Sequence, residues 1–150
     1  MLFRSLGDRY ATAKSKAPVL VAGQWQHIAG VFDGSTVRCF VDGKLVGETA
    51  GSGARKPNAL PLFVGADTNE KGEPTAFCAG CLDDVRISQG ARYAAAFTPA
   101  ARHERDADTL LLLPCDTDFG PWTPDGSGHG RHARRLGTAH CTLESRPAGR

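Results

Sequence analysis

Gln24 to Glu48 reads QWQHIAGVFDGSTVRCFVDGKLVGE, three short apolar runs separated by two aspartate-glycine turns. An Asp-Gly pair between alternating hydrophobics is a strong hairpin signal, because the glycine accepts the positive φ that tight turns demand. Asp42-Gly43 lies directly between Val41 and Lys44 and predicts a two-residue type I′ turn. That turn sets Phe40 opposite Leu45 and Cys39 opposite Val46. The turn from Asp33 to Thr36 sets Phe32 beside Val37, Gly30 opposite Cys39 and Ile28 opposite Val41. One face of this meander then carries Ile28, Gly30, Phe32, Val37, Cys39, Val41 and Val46, an apolar core face. The other face places Arg38 beside Phe40 and Leu45, so it is not purely solvated. A meander partly covered on both faces belongs in a sandwich.

The surrounding chain fits that reading. Leu2 to Leu6 and Arg9 to Ala13 are short strands joined at Gly7-Asp8, and Val19 to Val21 leads into the meander. The segment GSGARKPN is a loop. Leu62-Phe63-Val64-Gly65 reads as a strand, Ala66 to Thr75 as a polar excursion, and Phe77 to Ser88 as a strand anchored by Leu82, Val85 and Ile87. Ala91 to Phe97 is alanine-rich and predicts a helical turn ended by Pro99. Thr109 to Leu113 is a continuous apolar run of the kind buried on both sides. A glycine-rich loop, DFGPWTPDGSGHG, precedes a last strand near Ala133 to Leu136.

Composition bounds the rest. The 150 residues are 41% hydrophobic and 23% charged, with 18 glycines and 9 prolines, which suits a single all-β domain rich in turns. The boundaries read as a domain over 1–137 and a polar tail over 138–150. A net charge of +2, scattered along the chain, argues against nucleic acid, and no apolar run is long enough to span a bilayer. The first residues lack the continuous apolar centre of a secretory signal.

Among the five cysteines, Cys39 and Cys115 read as small buried hydrophobes. Cys78-Ala-Gly-Cys81 has a redox or zinc spacing but no following helix and no second pair. A disulfide within the set is open in an oxidising compartment, and the spacing assigns none. The glutamates Glu48, Glu70, Glu73, Glu104 and Glu144 form no alternating pair with an aspartate, and adjacent Asp83 and Asp84 point to opposite faces. No local serine-histidine-acid or cysteine-histidine grouping stands out, so catalysis is not expected.

The order WQHIAGVFDGSTVRCFVDGK, LFVGAD, FCAGCLDDVRIS, ARYAAAFTP, DTLLLLPCD and DGSGHGRH resembles a laminin G-like domain of the concanavalin A-like superfamily. The resemblance covers most of the chain and rests on Trp25, the two Asp-Gly turns, Gly80 with Leu82 and Asp83, and Asp125 with Gly128 and Gly130. It implies an all-β jelly-roll sandwich of two antiparallel sheets with at most a short helical turn near 91–97. Cys115 and His129 depart from the family pattern. Only 24 residues precede Trp25, fewer than the resemblance implies, which points to missing strands or a start inside a longer gene. A missing strand would leave a sheet edge open to self-association.

The function implied is a non-catalytic recognition module for a carbohydrate or protein ligand, in a surface or secreted protein. Calcium is the cofactor the resemblance implies, with Asp67 and Asn69 placed as rim ligands and solvated loop residues as the plainer reading. Trp122 suits stacking on a sugar face, or equally plugging the end of the sandwich. His129, His132 and His140 read as a solvated tail rather than a metal site. The other reading is a structural domain fragment without a ligand of its own.

Overall fold

The computed structural model describes residues 2–6, 9–51 and 57–142, with side chains from residue 11 onward. The Gly7-Asp8 joint, residues 52–56 of the expected loop and residues 143–150 of the expected tail lie outside the described residues. The described residues contain no helix, and every strand pairing is antiparallel. The all-β expectation therefore holds.

Strands β1 (Leu2–Leu6) and β2 (Arg9–Ala13) form a hairpin with Leu6 opposite Arg9. It packs on the meander of β3 (Ile28–Phe32), β4 (Thr36–Val41) and β5 (Lys44–Ala50). The β3–β4 register is the one the turns predict, with Ile28 opposite Val41 and Phe32 opposite Val37. Asp42 and Gly43 take φ values of 49° and 73°, as a type I′ turn requires. The Asp42 carboxylate then accepts the His27 amide at 2.9 Å, tying the turn to the start of β3.

Between β4 and β5 the expected register holds only next to the turn. Phe40 faces Leu45, but Cys39 pairs with Gly47, leaving Val46 as the extra residue of a β-bulge. The physical reason lies at Gly47, where a Cβ would collide with the Lys14 carbonyl as β2 passes. The bulge supplies a glycine at that crossing and still turns Val46 toward the core. Ala11, Ala13, Val37 and Cys39 are buried there, with Phe32 and Val46 packed against them. Ile28, expected on this core face, is 58% exposed at the sheet's edge, because the hairpin reaches β4 and β5 rather than β3.

The second face of β4 is buried more deeply than its sequence suggests. Phe40 is fully buried and meets Phe97 and Tyr93 edge-on at ring centroid distances of 5.4 and 6.3 Å. Tyr93 and Phe97 stack at 3.5 Å. This packing overturns the helical turn expected over Ala91 to Phe97, since no helix forms there. The Phe97 amide instead donates to the Gly43 carbonyl at 3.0 Å, and aromatic burial outweighs alanine's helical propensity.

Strand β8 (Val85–Ser88) pairs with β9 (Thr109–Leu113), whose Thr109, Leu111, Leu112 and Leu113 are all buried as its apolar run predicts. The strand expected from Phe77 shortens to these four residues of β8. A ribbon of β6 (Asp67–Thr68) and β7 (Pro74–Thr75) replaces the expected polar excursion. Strands β10 (Trp122–Thr123) and β11 (Ala133–Arg134) close the glycine-rich loop.

Candidate recognition cleft

Leu62-Phe63-Val64-Gly65 is not a strand. Pro61 supplies no amide, Gly65 turns left-handed at φ 86°, and the Cys78 amide donates to the Gly65 carbonyl at 2.8 Å. Without a ladder the segment lies against the sheet as one wall of a cleft. Leu62 and Val64 on it are 68% and 43% exposed, and Phe77 and Leu82, which also line the cleft, are 73% and 46% exposed. The cleft has a volume of about 1390 Å³, with half-buried Trp25 at its lining and Leu111 and Leu113 of β9 at its base. Arg102 and Arg131 to Arg135 line the polar side.

That polar wall is built by Asp125. Its buried carboxylate accepts the Leu112 amide at 3.0 Å, the Ser127 amide at 2.8 Å, the Ser127 hydroxyl at 2.7 Å and the Arg131 amide at 2.9 Å. Burial alone would push its pKa up, but these four donors outweigh burial and hold it well below the usual carboxylate range. The loop is thereby fastened to the middle of β9. Arg131 adds a bond to the Leu110 carbonyl at 2.7 Å. Arg135 donates to Asp118 at 2.5 Å and to the Gly120 carbonyl at 2.8 Å, and it lowers the Asp118 pKa.

Serine, histidine and aspartate meet in this loop, yet their wiring is not catalytic. His132 Nδ1 accepts the backbone amide of Asp125 at 3.0 Å, so its ring is anchored to main chain rather than to Ser127. The Ser127 hydroxyl is buried and donates to the aspartate. A nucleophile needs the histidine as its base, with the carboxylate behind the imidazole. This arrangement is a structural knot. His132 is thus tied to the loop by one bond, and like His129 and His140 it is exposed.

The other expected site residues sit around the cleft rather than in it. Asp67 is exposed in β6, and its carboxylate accepts the neighbouring Thr68 amide at 2.7 Å. Asn69 Oδ1 accepts the Lys71 and Glu73 amides, both at 2.9 Å, and so shapes the ribbon turn. Among the described residues no three His, Cys, Asp or Glu side chains gather as a metal site. Calcium takes six to eight oxygens, and an asparagine oxygen already holding two amides is a poor donor, so this set does not fit the ion. Trp122 is 47% exposed in β10, while its neighbour Thr123 is buried toward the cleft. Strand alternation therefore turns Trp122 outward, beside Phe119 at 57% exposure, with the two backbones bridged.

Asp83 and Asp84 also diverge, but through a left-handed backbone at Asp84 just before β8 rather than through strand alternation. Asp84 is buried, adopts φ 53° and accepts the His103 amide at 2.7 Å, while Asp83 lines the cleft near Arg102.

A family model described as the concanavalin A-like lectin/glucanases superfamily, of laminin G type, matches residues 2–96. The chain belongs to this family. The match spans the hairpin, the meander, the ribbon and β8, and the jelly roll it implies agrees with the antiparallel sheets. Neither the curated proteins nor the solved structures give a significant match. Laminin G-like domains are generally non-enzymatic, and membership fits a binding module. No helix among the described residues is long and apolar enough to cross a membrane.

Proposed function

We propose that this laminin G-like domain is a non-catalytic recognition module that takes an extended segment of a partner protein in its cleft. The observation that carries the reading is the exposure of Leu62, Val64, Phe77 and Leu82 around one concavity. Apolar side chains gathered at a concave site favour apolar ligands, and a cavity above about 1,000 Å³ exceeds the usual small-molecule range. Arginines on the opposite wall favour acidic residues in the same segment.

A displayed peptide library panned on the folded domain tests this. Enriched peptides should combine apolar and acidic residues, and Leu62→Asp with Phe77→Asp should weaken them at least tenfold. Enrichment that survives both changes would sink the reading.

A second reading, carbohydrate binding, is favoured by the exposed Phe119 and Trp122, whose rings offer a platform for a sugar face. Glycan-array binding lost in Trp122→Ala, with peptide binding intact, would select it. Calcium assistance would rest on the Asp67 carboxylate and main-chain oxygens, so neither reading routes binding through the ion. Thermal unfolding with calcium and with chelator measures that directly. The structural-fragment reading predicts self-association instead, through the edge where Leu20, Val21 and Ile28 stand exposed. A monomeric solution mass across concentration would exclude it.

A further inference from the structure

The wall of the cleft that follows β11 returns to the end of β9, and it does so sulfur first. The Cys141 thiol donates to the Cys115 carbonyl at 3.7 Å, and the Cys115 thiol donates to the Leu113 carbonyl at 3.5 Å. Both cysteines are half-buried, and both line the cleft. Cys115 takes φ 61° just past the strand, the left-handed turn that sends the chain away from the ladder. A thiol resting on the peptide of another cysteine needs side-chain rotation, not refolding, to reach that residue's sulfur.

We propose that Cys115 and Cys141 are a disulfide-forming pair that locks the 137–141 segment onto the end of β9 and fixes one wall of the cleft. The oxidant is a small disulfide such as oxidised glutathione. Burial, together with the Asp83 and Asp116 carboxylates, pushes the Cys115 thiol up, so its thiolate is scarce and Cys141 reacts first. The Cys141 thiolate attacks the small disulfide, forming a mixed disulfide and releasing one small thiolate. The Cys115 thiolate then attacks the Cys141 sulfur, forming the intramolecular bond and releasing the second. Two cysteine thiols are oxidised by two electrons, one small disulfide is reduced, and the two cysteine protons end on the two released thiolates.

Mass mapping of the whole chain after equilibration in a glutathione redox buffer tests the pairing. A non-reducing digest should show the Cys115 and Cys141 peptides joined, and the join should persist in a Cys78→Ser, Cys81→Ser double variant. Cys115→Ser should accumulate a glutathione adduct on Cys141, whereas Cys141→Ser should leave Cys115 largely unmodified. Free Cys115 and Cys141 thiols in the oxidised wild type, or Cys141 joined to Cys78 or Cys81, would overturn the proposal. The mapping involves no ligand, so it stands or falls apart from the proposed function.

Discussion

The meander and the loop that follows β9 are both held in place, but by opposite means. Three strands from Ile28 to Ala50 share backbone ladders and bury Val37 and Phe40 on their two faces. The loop from Cys115 to His132 has two residues of strand, and a single carboxylate takes the place of a ladder by receiving three backbone amides. One region spreads its stability over many weak contacts. The other concentrates it in one buried charge, whose loss would orphan several donors together.

The largest effect should come from the first region. Phe40→Ala empties a fully buried ring site beneath Tyr93 and Phe97, and should cost about 3–5 kcal/mol in denaturant unfolding. Leu62→Ala, on the exposed cleft wall, is the matching control and should stay within about 0.5 kcal/mol. A comparable loss from both would mean that the cleft is closed in solution and that Leu62 belongs to a core.

Asp125→Ala should rank next, at about 2–4 kcal/mol, since amides of Leu112, Ser127 and Arg131 lose a charged acceptor. Its signature separates it from Phe40→Ala. Hydrogen exchange should speed up first at Leu112, Ser127 and Arg131 while the meander amides keep their protection. Uniform acceleration would show that loop and meander unfold as one unit, and the contrast between the regions would fail.

The same contrast explains what the sequence discloses. The meander is legible because its signals are local: a two-residue turn fixes φ, and alternation fixes the face. Its misreadings have distant causes: Cys39 misses Val46 because Lys14 passes over Gly47, and Ile28 stays exposed because the hairpin packs mainly on β4 and β5. The LFVG segment has strand composition and no partner ladder, and composition cannot report a missing neighbour. The helical turn near Tyr93 loses to rings that meet Phe40 from about fifty residues away, a separation that propensity does not sense. For the site, the Asp125 motif is visible through the family resemblance, whereas Arg131, His132 and Arg135 become partners only when the loop closes. Asp67, Asn69 and Trp122 stand out by residue type alone, and local turn bonding and strand alternation decide where their side chains are committed.

The smallest expected effect lies in the meander's other turn, and its pH dependence sharpens the comparison from the side of exposed charge. Asp33 is salt-bridged to Arg38 at 2.5 Å, and its carboxylate also accepts the Ser35 and Thr36 amides at 2.9 and 2.8 Å. Arg38 first, then Ser35 and Thr36, hold its pKa well below the ordinary carboxylate range. A carboxylate depressed in the folded state adds stability that is fully present above its unfolded pKa of about 3.9 and fades as pH falls toward the folded value. Asp33→Asn should therefore lower stability by a small, constant amount between about pH 5 and 8, and the gap should narrow below about pH 4. Added salt should shrink the same gap at neutral pH, because this pair lies at the surface and stays partly open to solvent. A gap that persists unchanged at low pH would assign Asp33's role to amide capping, which asparagine fills imperfectly, rather than to its charge.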